Sequence, residues 1–139
     1  MSRSDKVRTG PCSRADAVGR LKQAQASVMV SELCLADDTS VATPGVAAAL
    51  AVLAAIAACD AACCARLHRR ARGQNHEQAV DLVATVAPDG AKMAKLLREV
   101  LAAKDDSHYG FALVSAKQAQ ALVRKAGMLT AWAERIVNA

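Results

Sequence analysis

The chain has 139 residues, which fits one domain able to bury about two thirds of its unfolded surface. It is 53% hydrophobic but only 2% aromatic (Tyr109, Phe111 and Trp132), which argues against a sheet-built core and against aromatic platforms for single-stranded nucleic acid. Lys and Arg total 18 against 13 acidic residues, so the formal charge of +5 permits an anionic partner without demanding one.

Alanine, the strongest helix former, dominates the apolar residues and implies an all-α fold, an up-and-down bundle of four to five helices around a central Ala-rich helix. The five cysteines, Cys12, Cys34, Cys59, Cys63 and Cys64, are odd in number and follow no secretory signal, so free thiols acting as small core residues in a reducing cytoplasm are expected.

Residues 1–12 mix Ser, Arg, Lys, Gly10 and Pro11 without periodicity and read as a flexible basic tail, ahead of a single helical-bundle domain at 13–139. From Ser13, the positions Ala17, Leu21, Ala24, Val28, Ser31 and Leu35 alternate in steps of four and three, the stripe of a bundle-facing helix that closes at Asp37–Ser40. Thr43-Pro44 reads as an N-cap followed by proline at the first helical position, opening a long helix to about Arg72. Its seam is Val46, Leu50, Leu53, Ala57, Asp60, Cys64 and Leu67, with Val52, Ile56, Cys59 and Cys63 as a second apolar row, so burial on most sides is expected. Residues 46–65 carry a single charge, Asp60, ahead of basic residues, a pattern that also fits a membrane span. The weak hydrophobicity of alanine, the cost of that aspartate and the apolar stripes of the other helices favour a bundle core and no membrane.

Asn75 can cap a third segment through Val80, Leu82, Val83 and Val86, broken by Pro88-Asp89-Gly90 and resumed at Met93, Leu97, Val100 and Leu101. Ser115 caps a last helix with the stripe Ala119, Leu122, Ala126, Leu129, Ala133 and Ile136.

Three places interrupt this pattern with polar chemistry. Asp60 breaks an apolar seam, so its carboxylate needs a partner or a cavity, and helix rise puts it level with Gln23 to Ser27 and the region of Thr130. Arg66, His68, Arg69, Arg70, Arg72 and His76 gather where the second helix meets the third, fit either to bind phosphate beside a helix N-terminus at Asn75 or to complement a helix end. Lys104, His108 and Tyr109 continue the face of Leu97 and Leu101, either as helix-end capping groups or as acid/base and charge-stabilising groups acting on a phosphodiester. Cys64 and His68 share a helix face, yet two ligands make no zinc site, so neither a metal nor a cofactor is expected.

The helix order, Gly73-Gln74-Asn75-His76 opening the third helix, and Lys104 to Tyr109 before the Ala-rich last helix resemble the HEPN superfamily of helical bundles. That resemblance covers most of residues 13–137 and implies an association with nucleotidyltransferases, toxin–antitoxin pairs or RNA cleavage. Ribonuclease members carry an arginine followed after four to six residues by a histidine. Arg70 and His76 have five residues between them, with Ala71 where a polar residue is usual, and Lys104 precedes His108 by a shorter interval. The resemblance therefore implies a non-catalytic binding or accessory bundle, and the Ala-rich seams, which favour close helix contacts, lead us to expect a homodimer. It would contact a nucleotidyltransferase- or antitoxin-like protein, a nucleotide or RNA through Arg66, Arg69, Arg72 and Asn75. The alternative it implies is a metal-independent ribonuclease using His76 with Arg70, or His108 with Lys104 and Tyr109.

Overall fold

The computed structural model describes residues 8–39, 42–72, 75–106 and 114–139, the side chains of 104–106 excepted. The described residues form an all-α bundle, 79% of them helical, with five helices and one two-stranded ribbon. In chain order these are β1 (Thr9–Pro11), α1 (Arg14–Ala36), α2 (Pro44–Leu67), β2 (Arg69–Ala71), α3 (His76–Ala84), α4 (Gly90–Asp106) and α5 (Ala116–Asn138).

Local chemistry starts the helices. The Ser13 hydroxyl accepts from the Asp16 N–H while the Asp16 carboxylate accepts from the Ser13 N–H, a reciprocal cap that opens α1 and holds Asp16 below the usual carboxylate range. Thr43 caps α2 with Pro44 in its first turn, Asn75 caps α3, and Ser115 with Gln118 repeats the reciprocal cap on α5. The expected break between α3 and α4 runs through Pro88 and Asp89, the latter left-handed at φ 67°. Gly90 then starts α4 so close to α3 that a Cβ there would stand 2.5 Å from the Val83 carbonyl oxygen.

The core is the packing of α1 and α5 on α2. Nine alanines of α2 are buried: Ala47, Ala48, Ala51, Ala54, Ala55, Ala57, Ala58, Ala61 and Ala62. With only a methyl group at each, neighbouring helices approach closely and dispersion contacts replace bulky side chains. The larger volumes come from the partners, with Leu21 on α1 and Leu129 and Trp132 on α5. α1 and α2 run antiparallel, since a short connection joins one pair of their ends and Cys12 meets Cys64 at the other. The Trp132 indole N–H donates to the Pro88 carbonyl at 2.8 Å, tying α5 to the turn between α3 and α4.

Three expectations are corrected. The second helix stops at Leu67 rather than near Arg72, because His68 turns left-handed at φ 59° and Arg69–Ala71 pair antiparallel with Thr9–Pro11. Residues 8–12 are accordingly not free tail: the Arg72 N–H donates to the Arg8 carbonyl and the Cys12 N–H to that of His68. Cys12 and Cys64, expected as free thiols, form a disulfide with Cα atoms 5.4 Å apart, while Cys34, Cys59 and Cys63 stay reduced.

A further correction concerns the α2 seam. The α3–α4 hairpin covers only the C-terminal half of α2, around Ile56, Cys59 and Cys63, so Val46 and Leu53 stand 45% and 58% exposed instead of facing the bundle. α2 has the length and hydropathy of a membrane span, yet 67% of its most apolar window is buried by the rest of the fold.

The disulfide joins positions 52 residues apart, and the loop-entropy relation for that separation gives an upper figure of about 4 kcal/mol. Cys12→Ser is therefore expected to lower unfolding stability by about 2–4 kcal/mol in urea titrations under non-reducing conditions, and dithiothreitol should produce the same loss in the unmodified chain. An unchanged midpoint in both would contradict a structural role for the bond.

Candidate functional site

Asp60 is the organising group. Its side chain is 17% exposed, and Oδ2 accepts from Arg20 Nη2 at 2.8 Å and from Arg70 Nη1 at 3.4 Å. Arg20 belongs to α1 and Arg70 to β2, so one carboxylate oxygen joins three elements. The partners expected from helix height were others. Thr130 is buried and donates to the Ala126 carbonyl of its own helix, and Gln23 accepts from Arg20 rather than meeting Asp60. Arginine outcompetes those neutral groups because its charge offsets the desolvation of a half-buried carboxylate, and its length spans the gap. Arg20 Nε is buried without an acceptor, so this arginine is held through its terminal nitrogens alone.

Alternation along β2 separates two faces. Ala71 lines a cavity of about 140 Å³ between α2, α3 and α4, whereas Arg70 lines a more open groove of about 310 Å³ beside the N-terminal half of α1. Asp60, Asn75 and His76 also line the cavity, and Asp16 and Arg20 the groove. Asp60 thus stands between the two spaces: it lines the cavity, while Arg20 and Arg70, which bond its carboxylate, line the groove. His76 and Asp60 line the same cavity, but Arg70 does not. Asn75 spends its side-chain oxygen on capping, accepting from the Glu77 N–H at 2.9 Å.

Cys59 and Cys63 complete that wall. Burial pushes the Cys63 thiol up to about 12, with a further upward push from the Asp60 charge, and burial raises Cys59 well above the ordinary thiol range. Both are neutral at physiological pH and serve as apolar lining rather than as nucleophiles. Among the described residues, no group of three or more His, Cys, Asp or Glu side chains could hold a metal ion.

Outside the cavity, Arg66, Arg69 and Arg72 are exposed and, among the described residues, carry no carboxylate partner; the Arg72 side chain folds over Gly10 of β1. The side chain of Lys104, together with His108 and Tyr109, lies outside the described residues. The sequence reading missed Arg20, although it adjoins the buried stripe of Ala17, Leu21 and Ala24, the one signal that it could reach a partner across the bundle. Comparison with protein-family models, curated proteins and solved structures finds no match to this chain.

Distances and burial rank the two arginines. Arg20, closer to Asp60 and 29% exposed, should cost about 1–3 kcal/mol when replaced by Met. Arg70, farther and 43% exposed, should cost under about 1 kcal/mol when replaced by Ala. Urea midpoints of the two variants, with Asp60→Asn as the common reference, check the order; a reversed ranking would overturn it.

Proposed function

We propose that this chain is a non-catalytic, HEPN-like binding bundle that contacts RNA or a nucleotide-bearing partner through the basic end formed by the β1–β2 ribbon. The observation that carries the reading is that Arg66, Arg69 and Arg72 are exposed at one end of the molecule and, among the described residues, have no carboxylate to neutralise them. Guanidinium groups held beside a short ribbon suit phosphates, which they can bond through paired N–H donors. Among the described residues the one aromatic side chain, Trp132, is buried in the core, which favours backbone contact over base stacking.

Non-catalytic action is favoured by how the candidate acid/base pair is distributed. Arg70 is engaged by Asp60 and lines the groove, while His76 lines the cavity on the other side of that carboxylate. A histidine and an arginine acting on one phosphodiester need to reach the same phosphate.

Self-association belongs to the same proposal. Met29, Val30 and Leu33 of α1 and Val46 and Leu53 of α2 are exposed on the halves of those helices away from the ribbon, where a second copy would cover them.

Fluorescence anisotropy with a single-stranded RNA oligomer tests the first part. Three arginine–phosphate contacts should give a slope of log K against log salt of about −2, and the combined Arg66→Ala, Arg69→Ala, Arg72→Ala variant should abolish both binding and slope. Binding unaffected by that variant would contradict the assignment. RNA cleavage in chelator that disappears in His76→Ala would replace it with the ribonuclease reading. Light scattering should return twice the 14.5 kDa chain mass, and a monomer would remove the self-association.

A further inference from the structure

We propose that the cavity between α2, β2, α3 and α4 is a binding site for a small neutral aromatic molecule bearing one hydrogen-bond donor, of which phenol is the simplest case. The site is independent of the RNA reading, which rests on the exposed arginines outside it.

Size comes first. At about 140 Å³ the cavity is close to the roughly 150 Å³ at which an apolar protein cavity admits a benzene ring. Its walls are chiefly aliphatic: Ile56 from α2, Leu82 and Val83 from α3, and Leu97 and Leu101 from α4. The thiols of Cys59 and Cys63 add polarizable, uncharged surface, which suits an aromatic face.

The polar residues of the lining are Asp60, Asn75 and His76, and Asn75 spends its side-chain oxygen on capping α3. Both arginine bonds to Asp60 end on Oδ2, so among the described residues Oδ1 accepts no hydrogen bond and is open to a donor from a ligand. Charge then selects the ligand. An ammonium would have to share Asp60 with the guanidinium groups of Arg20 and Arg70, and a carboxylate would meet the Asp60 anion itself. A neutral O–H or N–H meets neither obstacle and satisfies the free oxygen, while the ring displaces water from an apolar wall.

Titration of the isotopically labelled full chain with phenol, followed by amide and methyl NMR, tests the site. Saturable shifts confined to residues lining the cavity, including Ala79, Leu82, Leu97 and Leu101, support it. Benzene, which lacks the donor, should bind about fivefold to tenfold more weakly, and benzylammonium and benzoate weaker still. Ala79→Leu, which fills the cavity from the partly exposed side of α3, should abolish the phenol shifts while the far-ultraviolet circular dichroism is kept. Asp60→Asn should narrow the difference between phenol and benzene. Shifts that do not saturate, that scatter over the surface, that benzylammonium or benzoate reproduces at equal strength, or that persist in Ala79→Leu would overturn the proposal.

Discussion

Alanine sets the distances at the centre of this molecule. Because α2 presents methyl groups on nearly every side, α1 and α5 settle against it at short range, and the side chains that fill space must come from them. The arrangement leaves little tolerance: a larger residue at Ala54 or Ala58, both fully buried, would separate helices that the rest of the fold holds together. Against that background a single carboxylate is conspicuous. Asp60 is retained because two cations, one from the helix before it and one from the ribbon after it, reach the same oxygen.

The ion cluster and the cavity are two consequences of one geometric fact. The α3–α4 hairpin leans on the C-terminal half of α2 only, and the space left between the hairpin and α2 is not filled by its aliphatic residues. The N-terminal half of α2 has no such cover, so its apolar row reaches the surface at Val46 and Leu53. The same helix is thus core, cavity wall and outer face along its length.

How much of this was legible in the sequence depended on range. Ser13, Thr43, Asn75 and Ser115 act on backbone groups two or three residues away, and each stands where local reading put it. The stripes of α1, α4 and α5 are likewise local periodicities, and their residues line the core. The ribbon was illegible because Thr9-Gly10-Pro11 and Arg69-Arg70-Ala71 hold a single strand-favouring side chain, Thr9, and are too short to alternate; their pairing is imposed from outside. Arg20 and Asp60 are 40 residues apart and Cys12 and Cys64 are 52 apart, so nothing in their neighbourhoods announces them as partners. For the site, Asp60 and His76 stood out separately as polar breaks in the pattern, but nothing local showed that they line one cavity, and Arg70 is separated from His76 by strand alternation that a helix running to Arg72 would not have produced.

The bond between Cys12 and Cys64 also turns α1 and α2 into a closed covalent ring. Under a stretching force applied to the two ends of the chain, tension would pass from Cys12 straight to Cys64 through the sulfur bridge. The two helices inside the ring would be bypassed, and only the segments beyond it could lengthen.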